Sequence, residues 1–243
     1  MILNDLQIYE RLARRDDHRI VVTPILDLNS QLGPSSLDIH LGTEFRVFQR
    51  QLYTHFDMFA EEDKQAHEAQ RYAPLLPVGF ERVTDDFFVL HPGEFALAST
   101  LEYISLPNDV AARLEGRSSW GRMGLQIHST AGFIDPGFRG TVTYELTNLG
   151  KVPITLYVGF RVGQLGFYQL SEDSLIPYSA KAGRKYHHQL GTQYSRYFHD
   201  PEITRLRERY DRERLQHTVE ELRRRGFEVR EPPQAATTPA PEA

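Results

Sequence analysis

The clearest pattern in the chain is an alternation of polar and apolar residues over residues 141–147. A period of two is typical of a β-strand that buries one face. Val142, Tyr144 and Leu146 are then expected to point into a core, which leaves Glu145 on the opposite face between threonines. A solvated strand glutamate is one interpretation of Glu145, and a functional carboxylate is the other. The neighbouring motifs bear on that choice.

Further strands are predicted from short apolar or alternating runs that end at glycine, proline or other turn residues. They cover residues 20–22, 37–41, 45–48, 87–90, 95–98, 101–106, 154–158 and 161–170. The turn at 91–94 predicts a hairpin between 87–90 and 95–98. Many short strands with few helices indicate an all-β sandwich, jelly roll or barrel-like body.

Helices are predicted at three places. Asn4 and Gln7 have the spacing of a capping box and predict a short helix near the start of the chain. The sequence at 107–109 has the proline of a short helix start. Residues 202–225 are rich in arginine and glutamate with sparse apolar positions, which predicts a helix on the surface or packed on a partner. The polar segment at 57–72 is expected to be an exposed excursion.

Composition narrows the class of protein. Of 243 residues, 40% are hydrophobic and 25% are charged, as in an ordinary soluble globular protein. The net charge of −5 argues against bulk binding to nucleic acid or to anionic membranes, but not against a local phosphate site. The chain has no cysteine, which excludes disulfides, thiolate catalysis and cysteine-bound zinc. No signal-peptide pattern or apolar run of membrane-spanning length is present, so a cytoplasmic location is expected.

Three further features are candidates for chemistry. The segment 116–119 combines backbone N–H groups, two hydroxyls and a guanidinium, which suit phosphate oxygens, although a plain turn is the alternative. Arg122 follows, and it points the same way as Ser119 if the segment is a helical turn; otherwise it is a surface arginine. Asp135 lies in a tight turn at 134–140, either as a turn-forming aspartate or as a ligand-binding carboxylate.

Several motifs follow one another along the chain. They are GRSS at 116–119, GRMGL at 121–125, HSTAGFIDPGFRG at 128–140, TYELTN at 143–148 and GFRVGQLGF at 159–167, preceded by SSLDIHLG ending at Gly42 and LHPGEFALASTLEYISLP at 90–107. This order resembles the trimeric dCTP deaminase and dUTPase superfamily. The resemblance covers residues 1–198 and implies a dUTPase-like distorted β-barrel or jelly roll with a few short helices. A charged helical extension is then expected over 199–230 and a disordered tail over 231–243.

Within that superfamily, the position of Glu145 resembles the deaminase branch. A stand-alone dUTPase would be expected to carry its main carboxylate in the turn at Asp135, and to end in a glycine-rich motif that this sequence does not show. One departure is Trp120, which stands where a leucine would be expected after the serine pair. A larger ring there is expected to reshape a contact between subunits.

The resemblance implies a zinc-independent hydrolytic deamination of dCTP to dUTP and ammonia. Glu145 would be the general base and proton shuttle, and Arg122 would keep it ionised and oriented. The Ser118 hydroxyl and the Ala131 carbonyl would hold the attacking water. The residues implied to bind the substrate are Arg117, Ser118, Ser119, Asp135, Gln164, Tyr178, Lys185 and Gln189. Asp135 would meet the deoxyribose 3′-hydroxyl.

The resemblance also implies the partners of the reaction. Mg²⁺ would bridge the phosphate oxygens without protein side-chain ligands. The sites would form between the subunits of a homotrimer, and dTTP is a plausible feedback inhibitor. Zinc-dependent deaminases instead carry a His/Cys-x-Glu and Pro-Cys-x-x-Cys signature, which a chain without cysteine cannot provide. Among the histidines, His128 is the one beside the expected base pocket.

The sequence leaves the extent of the reaction open. It stops at dUTP, or it continues to dUMP and pyrophosphate. Gly132 stands where deamination-only enzymes tend to carry a bulkier residue, and it resembles the dUMP-forming type, as does the segment 163–165. A dUTPase-only hydrolase and a non-catalytic nucleotide-binding module are the remaining alternatives.

Overall fold

The computed structural model of the chain describes residues 1–48, 78–79, 86–193 and 195–226. The described residues fall into two compact units, Met1–Arg196 and a second unit that begins at Tyr197. The polar excursion predicted at 57–72 and the tail predicted at 231–243 lie outside the described residues.

The first unit consists mainly of β-strands. Its strands are β1 Val21–Thr23, β2 Leu37–Phe48, β3 Val78–Gly79, β4 Phe87–Leu90, β5 Phe95–Ser105, β6 Val110–Gly116, β7 Leu125–Gln126, β8 Phe133–Ile134, β9 Arg139–Asn148, β10 Ile154–Tyr157 and β11 Arg161–Gln169. Nine of these described strands form one antiparallel sheet in the order β7-β9-β5-β2-β11-β6-β8, with β1 on β5 and β3 on β2. The strands β10 and β4 form a two-stranded sheet. The prediction of an all-β body is confirmed.

Short helices flank these strands. They are α1 Asp5–Ala13, α2 Leu28–Gln31 and α3 Ser118–Gly121. At α1 the predicted capping box is present, because the Asn4 side chain accepts from the Gln7 N–H and the Gln7 side chain accepts from the Asn4 N–H. Ile8 of α1 is fully buried, whereas Leu6 is 61% exposed.

The hairpin predicted between 87–90 and 95–98 is wrong. The turn exists, with Glu94 N–H donating to the His91 carbonyl, but β4 pairs with β10 while β5 pairs with β1, β2 and β9. Packing explains the difference. Phe88 of β4 stacks on Phe45 of β2 with ring centroids 4.7 Å apart, so β4 covers the large sheet and does not extend it.

The helix start predicted at 107–109 is also wrong. The chain turns there and enters β6, a strand that the sequence analysis did not predict. Asp109 is buried in this turn, where its carboxylate lies 2.6 Å from Arg11 Nη2. The side chain therefore ties the turn to α1.

Two pairs of predicted strands are continuous. Residues 37–41 and 45–48 belong to β2, and 95–98 and 101–106 fall largely within β5; the β2–β5 pairing has a register shift between Leu41 and Phe45. The strands approach closely at this shift, because a Cβ on Gly42 would lie 2.9 Å from the Ser99 carbonyl oxygen. Such a contact requires glycine.

The fully buried Glu102 is the hydrogen-bond partner of His40 in β2. Its carboxylate accepts the His40 backbone N–H at 2.9 and 3.1 Å and lies 2.5 Å from His40 Nδ1. Burial raises the pKa of Glu102, and the His40 contacts act against that rise.

The second unit contains the helix α4, Pro201–Arg224, which confirms the helix predicted over 202–225. Asp200 caps it by accepting the Glu202 N–H, and Pro201 occupies the first turn. No residue of α4 is buried. Among the described residues, no helix has the length and apolar character needed to cross a membrane.

Candidate active site

Glu145 lies on β9, opposite Leu97 of β5. Its neighbours Tyr144 and Leu146 are fully buried, as the alternation predicted, while Glu145 is half-buried on the other face. The Glu145 N–H donates to the Ile127 carbonyl at 2.9 Å. The carboxylate therefore stands on a strand fixed by the core on one face and by a crossing loop along its edge.

The crossing loop also contacts the carboxylate itself. Ser129 donates its backbone N–H to Glu145 Oε2 at 2.9 Å and its hydroxyl to the same oxygen at 3.0 Å. Among the described residues, none donates a hydrogen bond to Oε1. Sequence reasoning missed Ser129 as a site residue. Its position in the HSTAG motif was the available signal, but the sequence alone does not show which side chain of that motif meets Glu145.

Gly132 fixes the far end of this loop, which consists of residues 127–132, connects β7 to β8 and is hydrogen-bonded to β6 and β9. Its carbonyl accepts the Leu114 N–H at 2.7 Å, and a Cβ at this position would lie 3.0 Å from both the Leu114 oxygen and the His128 ring. His128 Nδ1 is buried without a hydrogen-bond partner, and its Nε2 lies 3.9 Å from Glu115. Ala131, whose carbonyl was expected to hold water, is exposed.

Arg122 lies at the C-terminal end of α3 and is exposed. Within the described part of this single chain, its side chain forms no ion pair with Glu145. The orienting role expected for Arg122 stays a prediction, and within one copy of the chain the two side chains are not paired.

The segment 116–119 forms the turn into α3, with Ser118 and Ser119 both exposed. Gln164 of β11 holds its first residue, since its Nε2 donates to the Gly116 carbonyl at 3.0 Å. The other end of the same amide accepts the Ser36 hydroxyl at 2.8 Å. Gln164 therefore anchors the first residue of the segment, and one N–H and one lone pair of its amide remain for other partners.

Arg117 is the cation of this segment. Its Nε lies 3.2 Å from Asp38 Oδ2, and its Nη1 donates to the Arg161 carbonyl at 3.1 Å. Burial raises the pKa of Asp38, while Arg117 and Arg161 act in the opposite direction and favour its ionised form. We call Arg117, Ser118 and Ser119 the GRSS cradle.

Of the remaining predicted site residues, Tyr178 lies against the turn that contains Asp135, and Gln189 lies beside β9. Tyr178 N–H donates to the Pro136 carbonyl at 2.8 Å, and the Tyr178 ring lies 5.8 Å from the Phe138 ring. Gln189 is buried, and its amide donates to the Thr141 carbonyl at 2.6 Å. Its Oε1 is buried without a partner. Lys185, four residues earlier, is half-buried.

One group of described side chains has the spacing of a metal site. The ligand atoms of His18, Asp109 and Asp173 lie within 4.8 Å of one another. The Asp109 carboxylate, however, already pairs with Arg11 at 2.6 Å and with His18 at 3.1 Å. A guanidinium at this distance disfavours a second cation, so the Asp109 carboxylate serves an ion pair that joins α1 to the turn before β6.

Comparison of the sequence with known protein families shows which family this chain belongs to. A family model described as dCTP deaminase-like matches residues 2–170. The chain belongs to the dCTP deaminase-like family.

Relatives within this dCTP deaminase-like family are similar over most of their length. A protein of Nocardia farcinica named "dCTP deaminase, dUMP-forming" is 47% identical over 197 residues, which are 81% of this chain and 91% of that protein. A protein of the same name from Dictyoglomus thermophilum is 40% identical over 81% of this chain and 94% of that protein. The crystal structure of a 2′-deoxycytidine 5′-triphosphate deaminase from Agrobacterium tumefaciens is similar with a TM-score of 0.47 and 25% identity, over 68% of this chain and 47% of that one.

The dCTP deaminase-like match contains Glu145, Arg122, the GRSS cradle and Gln164, and it ends at residue 170. Tyr178, Lys185 and Gln189 lie beyond that point.

Proposed function

We propose that this chain is a dCTP deaminase that also forms dUMP. It would add water to C4 of the cytosine ring, release ammonia, and then cleave the triphosphate of the resulting dUTP into dUMP and pyrophosphate. The observation that carries the deamination step is the Glu145 carboxylate, held at one oxygen by Ser129. The names of the relatives, "dCTP deaminase, dUMP-forming", support the same reaction class.

In the deamination step, Glu145 would move protons. One oxygen accepts two hydrogen bonds from Ser129, and the other, which no described residue hydrogen-bonds, is left for water. The carboxylate takes a proton from water as the water oxygen bonds to C4, and it delivers that proton to N3 of the ring. It then takes the proton of the new C4 hydroxyl and passes it to the amino group, the C4–N bond breaks, and ammonia leaves as the C4 carbonyl forms. The sum is dCTP and water giving dUTP and ammonia.

The triphosphate would lie on the GRSS cradle. Two exposed hydroxyls and a guanidinium are hydrogen-bond donors, which is the chemistry that phosphate oxygens need. The nearest carboxylate, Asp38, is already paired with Arg117 and Arg161. This donor set fits the phosphates, and Mg²⁺ would enter bound to phosphate oxygens and water as part of the substrate. Asp135, Tyr178, Lys185 and Gln189 are the proposed contacts to the sugar and the remaining phosphate oxygens.

The second step would be attack of water on the α-phosphorus, with cleavage of the bond to the bridging oxygen of the β-phosphate. Gly132 is the residue of this chain that supports it, because the sequence resembles the dUMP-forming type at this position. A Cβ here would lie 3.0 Å from the His128 ring and from the Leu114 carbonyl oxygen, so the packing leaves no room for a side chain. A larger residue would displace the loop that carries Ser129 and Ala131. dTTP has the same triphosphate and no 4-amino group, so we propose it as a competitor for this site.

We also propose that the site is shared between the copies of a homotrimer. Arg122 and Glu145 are not paired within the described chain, and a second copy would supply the arginine. The charged helix α4 has no part in this proposal.

Product analysis after incubation with dCTP and Mg²⁺ tests the function. Ammonia together with dUMP and pyrophosphate is the expected result. Ammonia with dUTP alone would contradict the second step, and pyrophosphate from dUTP without ammonia from dCTP would indicate a dUTPase-only hydrolase. No product from either nucleotide would leave a non-catalytic nucleotide-binding module as the explanation.

A further inference from the structure

Arg117 of the GRSS cradle is held by the protein on two sides. Its Nε lies 3.2 Å from the Asp38 carboxylate, and its Nη1 donates to the Arg161 carbonyl at 3.1 Å. The Arg117 side chain is 34% exposed. Within the described chain, its Nη2 donates no hydrogen bond to the protein. This nitrogen is therefore available for an anionic ligand.

Asp38 is the side chain that fixes the charge of this arrangement. It is 14% exposed and lies between two guanidiniums, 3.2 Å from Arg117 Nε and 3.5 Å from Arg161 Nη1. One carboxylate facing two guanidiniums leaves a net positive charge, which attracts phosphate. The Asp38 backbone is also held, because Gln31 Nε2 of α2 donates to its carbonyl at 3.0 Å.

Trp120 shares a hydrogen-bond acceptor with Arg117. Its indole Nε1 donates to the Arg161 carbonyl at 3.0 Å, the same oxygen that accepts from Arg117. Its ring lies 6.5 Å from the Phe160 ring and packs against the core. The sequence resemblance leads one to expect leucine at this position. Neither leucine nor phenylalanine has a side-chain donor, so neither could make this hydrogen bond.

Resting on the proposed function, we propose that Asp38 and Trp120 are positioning residues that hold Arg117 ready for the triphosphate. An arginine side chain loses much rotamer freedom when it binds a ligand, and that loss weakens binding. Here the guanidinium is already held by an ion pair and by a backbone carbonyl of β11 that also accepts a hydrogen bond from Trp120. Both residues are therefore expected to act through Arg117. They should strengthen binding of the phosphates without changing the chemistry at the cytosine ring.

A double-mutant cycle tests this path. Asp38→Asn and Trp120→Phe are each made in the wild-type chain and in an Arg117→Ala chain. The readouts are KM and kcat with dCTP, and equilibrium binding of Mg²⁺ and inorganic tripolyphosphate. In the wild-type background each change is expected to raise KM and the Kd for tripolyphosphate by about three- to tenfold, with kcat within about twofold. In the Arg117→Ala background neither change has a further effect.

Asp16→Asn is the matched control, since Asp16 forms an exposed ion pair with Arg14 at 2.6 Å. It is expected to change none of the three constants. Equal losses in both Arg117 backgrounds would show a general structural role and overturn the proposal. If one variant does not fold, the other completes the cycle.

The two readouts separate the proposal from the function on which it rests. A wild-type chain that releases no ammonia from dCTP contradicts the deaminase function, while tripolyphosphate binding still decides the role of Asp38 and Trp120. Failure of the wild-type chain to bind tripolyphosphate overturns the positioning role itself.

Discussion

At the scale of single residues, Glu145 is the side chain on which the proposed chemistry depends. It lies half-buried on β9, with Ser129 bonded to one of its oxygens. Half-burial leaves the residue partly accessible to solvent, and the two hydrogen bonds from one residue restrict rotation of its carboxylate about the Cγ–Cδ bond. A carboxylate restricted in this way is suited to repeated proton transfer.

Glu145→Gln is expected to abolish ammonia release from dCTP, by about 10³-fold or more, because an amide cannot take a proton from water. The dissociation constant of dCTP should stay within about threefold, since the shape and hydrogen-bonding capacity of the side chain are largely kept. Turnover assays and equilibrium binding measure the two effects. Glu172→Gln, at an exposed position, is the control. Loss of binding without a specific loss of turnover would make Glu145 a structural residue.

Ser129→Ala is expected to lower kcat by about tenfold, because it removes the hydroxyl donor and leaves only the backbone N–H on Glu145. Ser129→Thr keeps a hydroxyl and should restore most of the activity. Ser171→Ala, on an exposed residue, is the control and should have no effect. Unimpaired turnover in Ser129→Ala would mean that the backbone contact is sufficient.

At the scale of elements, the loop at 127–132 connects β7 to β8 and lies across the edge of β9. It is fixed at one end by the Glu145 N–H bond to Ile127 and at the other by the Leu114 N–H bond to Gly132. A change at the glycine end is therefore transmitted to the segment that carries Ser129.

Gly132→Val is expected to reduce pyrophosphate release more than ammonia release, by about tenfold in their ratio, because the sequence resemblance leads one to expect a bulkier residue here in deamination-only enzymes. The new Cβ must displace the His128 ring or the Leu114 carbonyl, so ammonia release is also expected to fall, but less. Separate assays of ammonia and pyrophosphate from dCTP measure the ratio. Gly166→Ala is the matched control, since the nearest atom to its Cβ would be 3.9 Å away. An equal fall of both products would show that the loop serves the whole site without distinguishing the two steps.

The register shift between β2 and β5 is a second feature at this scale. The buried Glu102 beside it makes the stability of the fold depend on pH. Burial raises the pKa of Glu102, so the folded state binds a proton that the unfolded chain releases in the same range of pH. Stability from this group is fully present below the ordinary pKa of glutamate, and it is lost as the pH rises through the raised value.

Relative to Glu102→Gln, which does not titrate, the wild-type free energy of unfolding is therefore expected to fall as the pH rises through the acid range. Urea denaturation of both proteins at several pH values measures the difference. Glu102→Leu should destabilise the fold by about 3 kcal/mol, because the His40 N–H and ring lose their acceptor. A rise in relative stability with pH would mean that His40 outweighs burial and keeps Glu102 ionised.

At the scale of the whole molecule, the proposed site needs more than one copy of the chain. Arg122 on α3 and Glu145 on β9 are not paired within the described residues of a single copy. Symmetric association places the same two elements of different copies next to each other at every interface.

Arg122→Ala and Glu145→Gln are each expected to be inactive alone. The two variants are mixed in equal amounts, unfolded and refolded together. Activity should return to about a quarter of the wild-type value, because random assembly places an intact Arg122 of one copy beside an intact Glu145 of another at that fraction of interfaces. Ammonia release measures the recovery, and each variant refolded by itself is the control. No recovery on mixing would contradict a shared site.

The sequence by itself determined the features that depend on neighbouring residues. The alternation around Glu145, the capping box at Asn4 and the helix over 202–225 all follow from local periodicity or local hydrogen bonding, and all are present in the structure. The ordered motifs also predicted the family and the all-β class, because both are recorded in the identity and order of residues along the chain.

Only the tertiary structure decided which elements meet. The pairing of β4 with β10, the strand β6 in place of a helix start, and the contacts of Ser129 with Glu145 and of Trp120 with Arg161 depend on segments distant in sequence. The hydrophobic period and the turn residues predict whether a segment is a strand or a turn. They do not predict which other segment it pairs with. The partner is chosen by the packing of a common core, in which each apolar face must be covered and each buried polar group must find a donor or acceptor.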